Sequence, residues 1–158
     1  MTLSRSKPLT KKRKPRRTTS PRCHIQRCGK RATIAGLCVT HADRESWRLF
    51  SLFIRNRDGR CTAAGLFGFA CNGPLQAAHI IGRRNWQVRL DPRNVHAACA
   101  AHHRWLDSSG REGYKREWAT RILGEAEYDR LYADALVMGD RTQAIAAALA
   151  ILTAKEDA

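Results

Sequence analysis

Apolar positions recur at helical spacing along much of this chain and alternate in few places. From Ala42 to Arg57, Trp47, Phe50, Phe53 and Ile54 fall on one helical face. Thr40 stands just before them, with Asp43 three residues on as a capping-box partner. The pattern predicts a helix over 42–57, after which "RDGRC" turns the chain. Gly65, Gly68, Gly73 and Pro74 mark a long loop. Leu75–Ile81 and Trp86–Leu90 then read as short strands around Gly82-Arg83-Arg84-Asn85, and residues 94–107 have helix composition. Further helices are predicted at 114–123, 126–138 and 141–154, broken at Gly124 and Gly139. Tyr128, Leu131, Tyr132 and Ala135 form one apolar stripe there. Strand, strand, helix, flanked by helices on both sides, predicts a small α+β fold.

Composition narrows this further. The 158 residues, 43% apolar, suffice for one modest core or for small modules that need stapling by metal or disulfide. No apolar run approaches a membrane span, and the first twenty residues are basic and polar where a signal peptide needs an apolar stretch. A cytoplasmic location is expected, with no membrane partner. The net charge of +15 is uneven: +8 lies in residues 1–20, +4 in 21–41 and −2 in 111–158. A run containing Lys11, Lys12 and Arg13 cannot pack its like charges, so residues 1–20 should be a disordered arm that condenses on a polyanion. DNA is the expected partner, through phosphate contacts that release counterions.

Cysteines pair with histidines rather than with one another. Cys23-x4-Cys28-x9-Cys38-x2-His41 brings four zinc donors into nineteen residues. Gly29 and Gly36 fall where a tight knuckle needs permissive backbone. Cys61, Cys71, Cys99 and His102 form a second set that uses every remaining thiol. Two structural Zn2+ ions are expected, one in a knuckle over 21–41 and one bracing the strands that follow the linking helix at 42–57.

Four of the six histidines lie between Leu75 and Trp105. On a helix both His102 and His103 come near the face of Cys99, and either can complete the zinc set. With His102 on zinc, His103 aligns with Asp107 at i+4, an imidazole and a carboxylate suited to a separate catalytic cation, Mg2+ or Mn2+. His79, at the end of the first strand, can face that cation. A neutral imidazole with a pKa near working pH is a suitable general base for water attacking phosphorus. Arg83 and Arg84, in the turn just after it, can clamp the phosphate.

His79, Asn94 and His103, set in "LQAAHIIGR", "LDPRNVHAAC" and "CAAHHRWLD", resemble the signature residues of the HNH endonucleases. The resemblance covers about residues 57–110 and implies a ββα-metal module, bounded here as 58–110, with a helical segment at 111–158. It implies hydrolysis of double-stranded DNA, with His79 as base, Asn94 fixing a loop or lying beside the metal, and His103 as metal ligand. The compact knuckle is similar to those attached to phage-type members, which would place the protein in the host cytoplasm. Where many members carry a ligand immediately before the base, this chain has Ala78; Asp107, Gln76 or a water can substitute. Two alternatives share these features: a non-catalytic zinc protein that binds nucleic acid, and a structure-specific or RNA-directed nuclease with the same site. The C-terminal helices are expected to support packing or to form a homodimer face.

Overall fold

The computed structural model describes residues 21–156. The basic arm expected at 1–20, with Lys11, Lys12 and Arg13, lies outside the described residues. The chain runs α1 (Val39–Asp58), β1 (Leu75–His79), β2 (Val95–Cys99), α2 (Ala100–Leu106), α3 (Glu112–Leu123), α4 (Glu125–Leu136) and α5 (Arg141–Glu156). The result is a mixed α+β fold around one two-stranded sheet. Among the described residues no helix is long and apolar enough to cross a membrane.

Helix α1 begins earlier than its apolar pattern, so His41 lies in its first turn. Its N-cap is Cys38, whose side chain makes no capping bond, and the Thr40–Asp43 capping box does not form. Asp43 instead meets Arg89 and Arg141, each at 3.0 Å. Thr40 already lies inside the helix, and the carboxylate is taken up by partners distant in sequence. Gly59 ends the helix, its N–H bonded to the carbonyl of Arg55.

Strands β1 and β2 pair antiparallel, with His79 opposite Val95 and Leu75 opposite Cys99. The second strand is therefore not at 86–90, where the sequence pattern placed it. That segment coils through successive turns, Asn85 to Gly82, Val88 to Asn85 and Asp91 to Val88. It brings Val88 into the interior and Trp86 and Leu90 against the core. Residues 95–99, whose alanine content reads as helix, are strand because every one is buried in the sheet; tertiary context outweighs a weak local preference. Helix α2 starts only at Ala100.

Alternation along the hairpin divides the packing. Ala77, His79 and Val95 face α1, whereas Gln76, Ala78, His96 and Ala98 face α2 and Trp118 of α3. Alanines at the centre let helices approach both faces closely. Ile145, Ala148, Leu149 and Leu152 of α5 fold back on Leu49, Phe50 and Ile54 of α1. At roughly 1.5–3 kcal/mol for each fully buried large side chain, this contact fixes α1 in place. The apolar stripe expected on α4 behaves differently. Leu131 alone of its four residues is buried, and Tyr132 is exposed, because α4 packs chiefly on α3 and touches the rest of the fold along a narrow edge. Gly73 is required where it stands, with φ +79° and an added Cβ 2.9 Å from that of Ala100.

Candidate metal centres and the histidine cleft

Both Cys3His sets converge. In the first, the donor atoms of Cys23, Cys28, Cys38 and His41 all lie within 4.8 Å of one another. His41 Nδ1 is 3.3 Å from Cys23 Sγ and 3.5 Å from Cys38 Sγ, and Cys28 and Cys38 are 3.9 Å apart. Thiolates and an imidazole around one tetrahedral zinc stand roughly 3.5–3.8 Å from each other. The set fits that ion. The knuckle turns at Gly36, whose φ is +75°, and an added Cβ there would meet His24 Nδ1 at 2.7 Å. Gly29 does not take the other turn, as the sequence suggested; Arg27 does, with φ +63°.

In the second set His102 Nδ1 faces Cys61, Cys71 and Cys99 at 3.6, 3.7 and 3.0 Å, again within 4.8 Å overall. Burial and the neighbouring thiols of Cys61 and Cys99 push Cys71 up to about 11. Burial also opposes ionisation of Cys99, but the backbone amides of His102 and Asn72 and the His102 ring bring it down to about 6. Three thiols so close cannot all ionise unless a cation stands among them, which is the charge pattern a structural zinc requires. Cys99 ends β2 and caps α2, accepting from His102 N. This centre thus fixes the joint that orients His103.

His79 and His103 line one cleft of about 400 Å3, together with Trp47, Ser51 and Arg55 of α1, Gln76, Arg83, Asp107 and Lys115 of α3. The His79 ring stacks on Trp47, centroids 4.9 Å apart at 17°. Its Nε2 is 3.0 Å from the carbonyl of Arg89. A carbonyl only accepts, so Nε2 carries the proton and Nδ1 keeps the lone pair. Burial pushes the pKa down to about 4, and Arg83, Arg89 and His103 act in the same direction. That departs from the expected value near working pH: ring and cations are packed together, so the imidazole is neutral throughout the neutral range.

His103 Nδ1 lies 2.8 Å from Gln76 Oε1 and therefore donates. Its Nε2 stands 3.2 Å from Asp107 Oδ2. Burial lowers its pKa, and Lys115 and Arg83 add to the effect against the pull of Asp107. A neutral ring with Nδ1 protonated directs the Nε2 lone pair toward a carboxylate oxygen. Two adjacent ligands of a small octahedral cation stand roughly 3 Å apart at bond lengths near 2.1 Å, so this pair suits a divalent ion. Lys115 Nζ donates to the other oxygen, Asp107 Oδ1, at 2.7 Å. Ala78, whose methyl group offers no ligand atom, is buried against the opposite layer.

Asn94 lies behind the cleft, fully buried. Its Oδ1 accepts from Ile81 N at 2.7 Å, and its Nδ2 donates to the carbonyls of Ile81 and Val88 at 3.0 and 2.9 Å. All of its bonding is with the loop that carries Arg89, which makes it a positioning residue. Arg83 lines the cleft; Arg84 is exposed in the same turn and does not. His96 is a satisfied core residue, its Nε2 on the carbonyl of Arg93 and its Nδ1 accepting from Arg57. Trp47, Arg55 and Lys115 had no sequence signal, since Trp47 read as part of an apolar helix stripe and the other two lie in helical segments outside 58–110.

No family model, curated protein or solved structure matches the chain.

Proposed function

We propose that this protein is a metal-dependent endonuclease of the HNH type, acting on phosphodiester bonds of double-stranded DNA. The observation that carries the reading is the cleft itself: a neutral, oriented His79 shares it with the His103–Asp107 pair and with Arg55, Arg83 and Lys115. With both imidazoles neutral, three cations against one carboxylate give it a net positive field among the described residues, suited to a phosphate. A divalent cation held by His103 and Asp107 would neutralise charge on the phosphate and on the departing sugar oxygen.

The chain's own residues supply the rest. Trp47 and the Arg89 carbonyl fix the plane and tautomer of His79, so that Nδ1 takes a proton from the attacking water. The water oxygen bonds to phosphorus as the bond from phosphorus to the sugar oxygen breaks, and solvent returns a proton to that oxygen. Arg83 and Lys115 hold the phosphate by charge-assisted hydrogen bonds. An imidazolium with a pKa near 4 returns its proton to water readily, so His79 is restored after each cycle, while the same low value makes it a weaker base than an ordinary imidazole.

A non-catalytic nucleic-acid-binding protein is the second reading, favoured by Lys115 on Asp107 and by the apolar Ala78. Zinc-loaded protein incubated with supercoiled plasmid separates the two. Nicking should require added magnesium or manganese, and His79→Ala should lower it by roughly 10²-fold to 10⁴-fold, the usual worth of a general base, while zinc content is kept. No nicking under any divalent cation, or an undiminished rate in His79→Ala, overturns the nuclease reading.

A further inference from the structure

Carboxylates are distributed unevenly over the cations of this protein. Arg57, Arg89, Arg93, Arg116, Arg130 and Arg141 each meet an acidic side chain. In the knuckle, by contrast, residues 21–41 contain four basic side chains and no acid. Arg22, Arg27, Lys30 and Arg31 are all exposed there, and their side chains have no hydrogen-bonding partner among the described residues. The same holds for Arg44 on α1, next to the knuckle. Arg55 uses only Nε, donating to Ser51 O at 3.2 Å.

Helix geometry connects these groups. Arg44, Arg48, Ser51 and Arg55, at i, i+4, i+7 and i+11, fall within about 60° of one another around α1. At the knuckle end Arg44 and Arg48 line a surface groove with His24 and Ile25. At the other end Ser51 and Arg55 line the histidine cleft. Arg48 is bound to Glu45 at 2.8 Å, an exposed pair worth little. From Arg44 to Arg55 the helix rises about 16 Å, the span of roughly five nucleotides along one strand of a duplex.

We propose that this arginine face of α1, continuous with the basic knuckle, docks the phosphate backbone of duplex DNA and leads one strand from the knuckle into the cleft. The identity of the polyanion rests on the nuclease reading; the docking face is testable without cleavage. The duplex meets the knuckle to one side only of the scissile phosphate, so the contact is asymmetric about the cut.

The test uses zinc-loaded full-length protein carrying His79→Ala, a labelled 25-base-pair duplex, and binding measured by fluorescence anisotropy across salt concentrations. Each phosphate contact contributes about 0.9 to the slope of log affinity against log salt. Adding Arg44→Ala, Arg48→Ala and Arg55→Ala should therefore lower that slope by about 2 to 3. The control, Arg116→Ala, Arg121→Ala and Arg130→Ala on α3 and α4, removes the same formal charge and should leave it within about 1. Equal effects from the two sets would reduce the face to general attraction and overturn the proposal, as would an unchanged slope in the first. Arg44→Glu alone, at an exposed position without a protein partner, should weaken binding at least tenfold with zinc content retained; unaltered affinity also overturns it. Hydroxyl-radical footprinting should protect backbone to one side of the cleft contact, and a symmetric footprint contradicts the asymmetry. Equal affinity and slope on an RNA duplex of the same length would overturn the commitment to DNA. A lowered slope in a protein whose wild type never cleaves leaves the docking face standing and removes only the nuclease reading.

Discussion

Asn94→Ala should damage the site from behind, and its cost can be worked from three bonds. The amide holds the N–H of Ile81 and the carbonyls of Ile81 and Val88 at 2.7–3.0 Å in a fully buried position. Alanine removes all three partners at once, and the Val88 carbonyl in particular is buried away from bulk water. At roughly 1–3 kcal/mol for each group left unpaired, three groups sum to about 3–9 kcal/mol; the two on Ile81 are only part-buried, which brings the loss to about 3–6 kcal/mol, a large part of an ordinary domain's stability. For a chain of this length that corresponds to a fall in Tm of roughly 10–20 °C. Calorimetric unfolding of zinc-loaded protein, with zinc quantified in parallel, measures it directly. Activity should fall even where the variant is folded, because the loop Asn94 pins also carries the Arg89 carbonyl, 3.0 Å from His79 Nε2. Asn94→Asp keeps the acceptor for Ile81 but turns a carboxylate oxygen toward two carbonyls, so it should be about as destabilising at neutral pH. A loss under about 1 kcal/mol in Asn94→Ala would refute the anchoring argument. Tighter manganese binding in a stable Asn94→Asp variant would make this residue a metal ligand instead.

Two further outcomes follow from the metal centres and from His79. Elemental analysis should find two zinc ions per chain; Cys99→Ala should lower this to one and lose thermal stability and cleavage together, whereas Cys23→Ala should also lose one zinc yet keep the second centre and the joint it fixes. Zinc retained at two in either variant would contradict the ligand sets. For His79, the folded pKa of about 4 lies below the unfolded value of 6.5, so the unfolded chain takes up the extra proton. Its contribution is present above pH 6.5 and is lost as pH falls toward 4, up to about 3 kcal/mol. Imidazole NMR should place its titration near pH 4, and the stability difference between wild type and His79→Ala should shrink across that window; a titration near 6.5 would refute the buried, neutral ring.

What the sequence made legible is the part governed by local rules. Zinc needs soft donors whatever the fold, so the first Cys3His set could be read from its compact spacing and the second from the thiols that remained, with His102 close after Cys99. Helix α1 could be read from Phe50 and Ile54, whose burial follows their period. The second strand could not. Residues 95–99 are buried on both faces, which erases the alternation that marks a strand, while Trp86 and Leu90 reach the core from a coiled loop and imitate one. The cleft divides in the same way. His79 and His103 stood out as imidazoles near a predicted hairpin and helix, but Trp47, Arg55 and Lys115 come from α1 and α3 and meet them only through tertiary packing.

Asp43 shows how far a correct local rule can miss the consequence. Its position three residues after Thr40 suggested a helix cap, yet its carboxylate faces the guanidinium of Arg89 at 3.0 Å and that of Arg141 at 3.0 Å. Both guanidiniums also lie over the ring of Trp86, at 4.3 and 4.8 Å. One acidic side chain on α1 thereby ties the loop after β1 to the first turn of α5. The side chain of Arg89 is anchored to this post while its carbonyl accepts the hydrogen bond from His79 Nε2–H. The orientation of the proposed base consequently depends on α5, more than fifty residues away in sequence. The C-terminal helix acts on the chemistry without entering the cleft, because the backbone that orients His79 is held by a charge that α1 and α5 share.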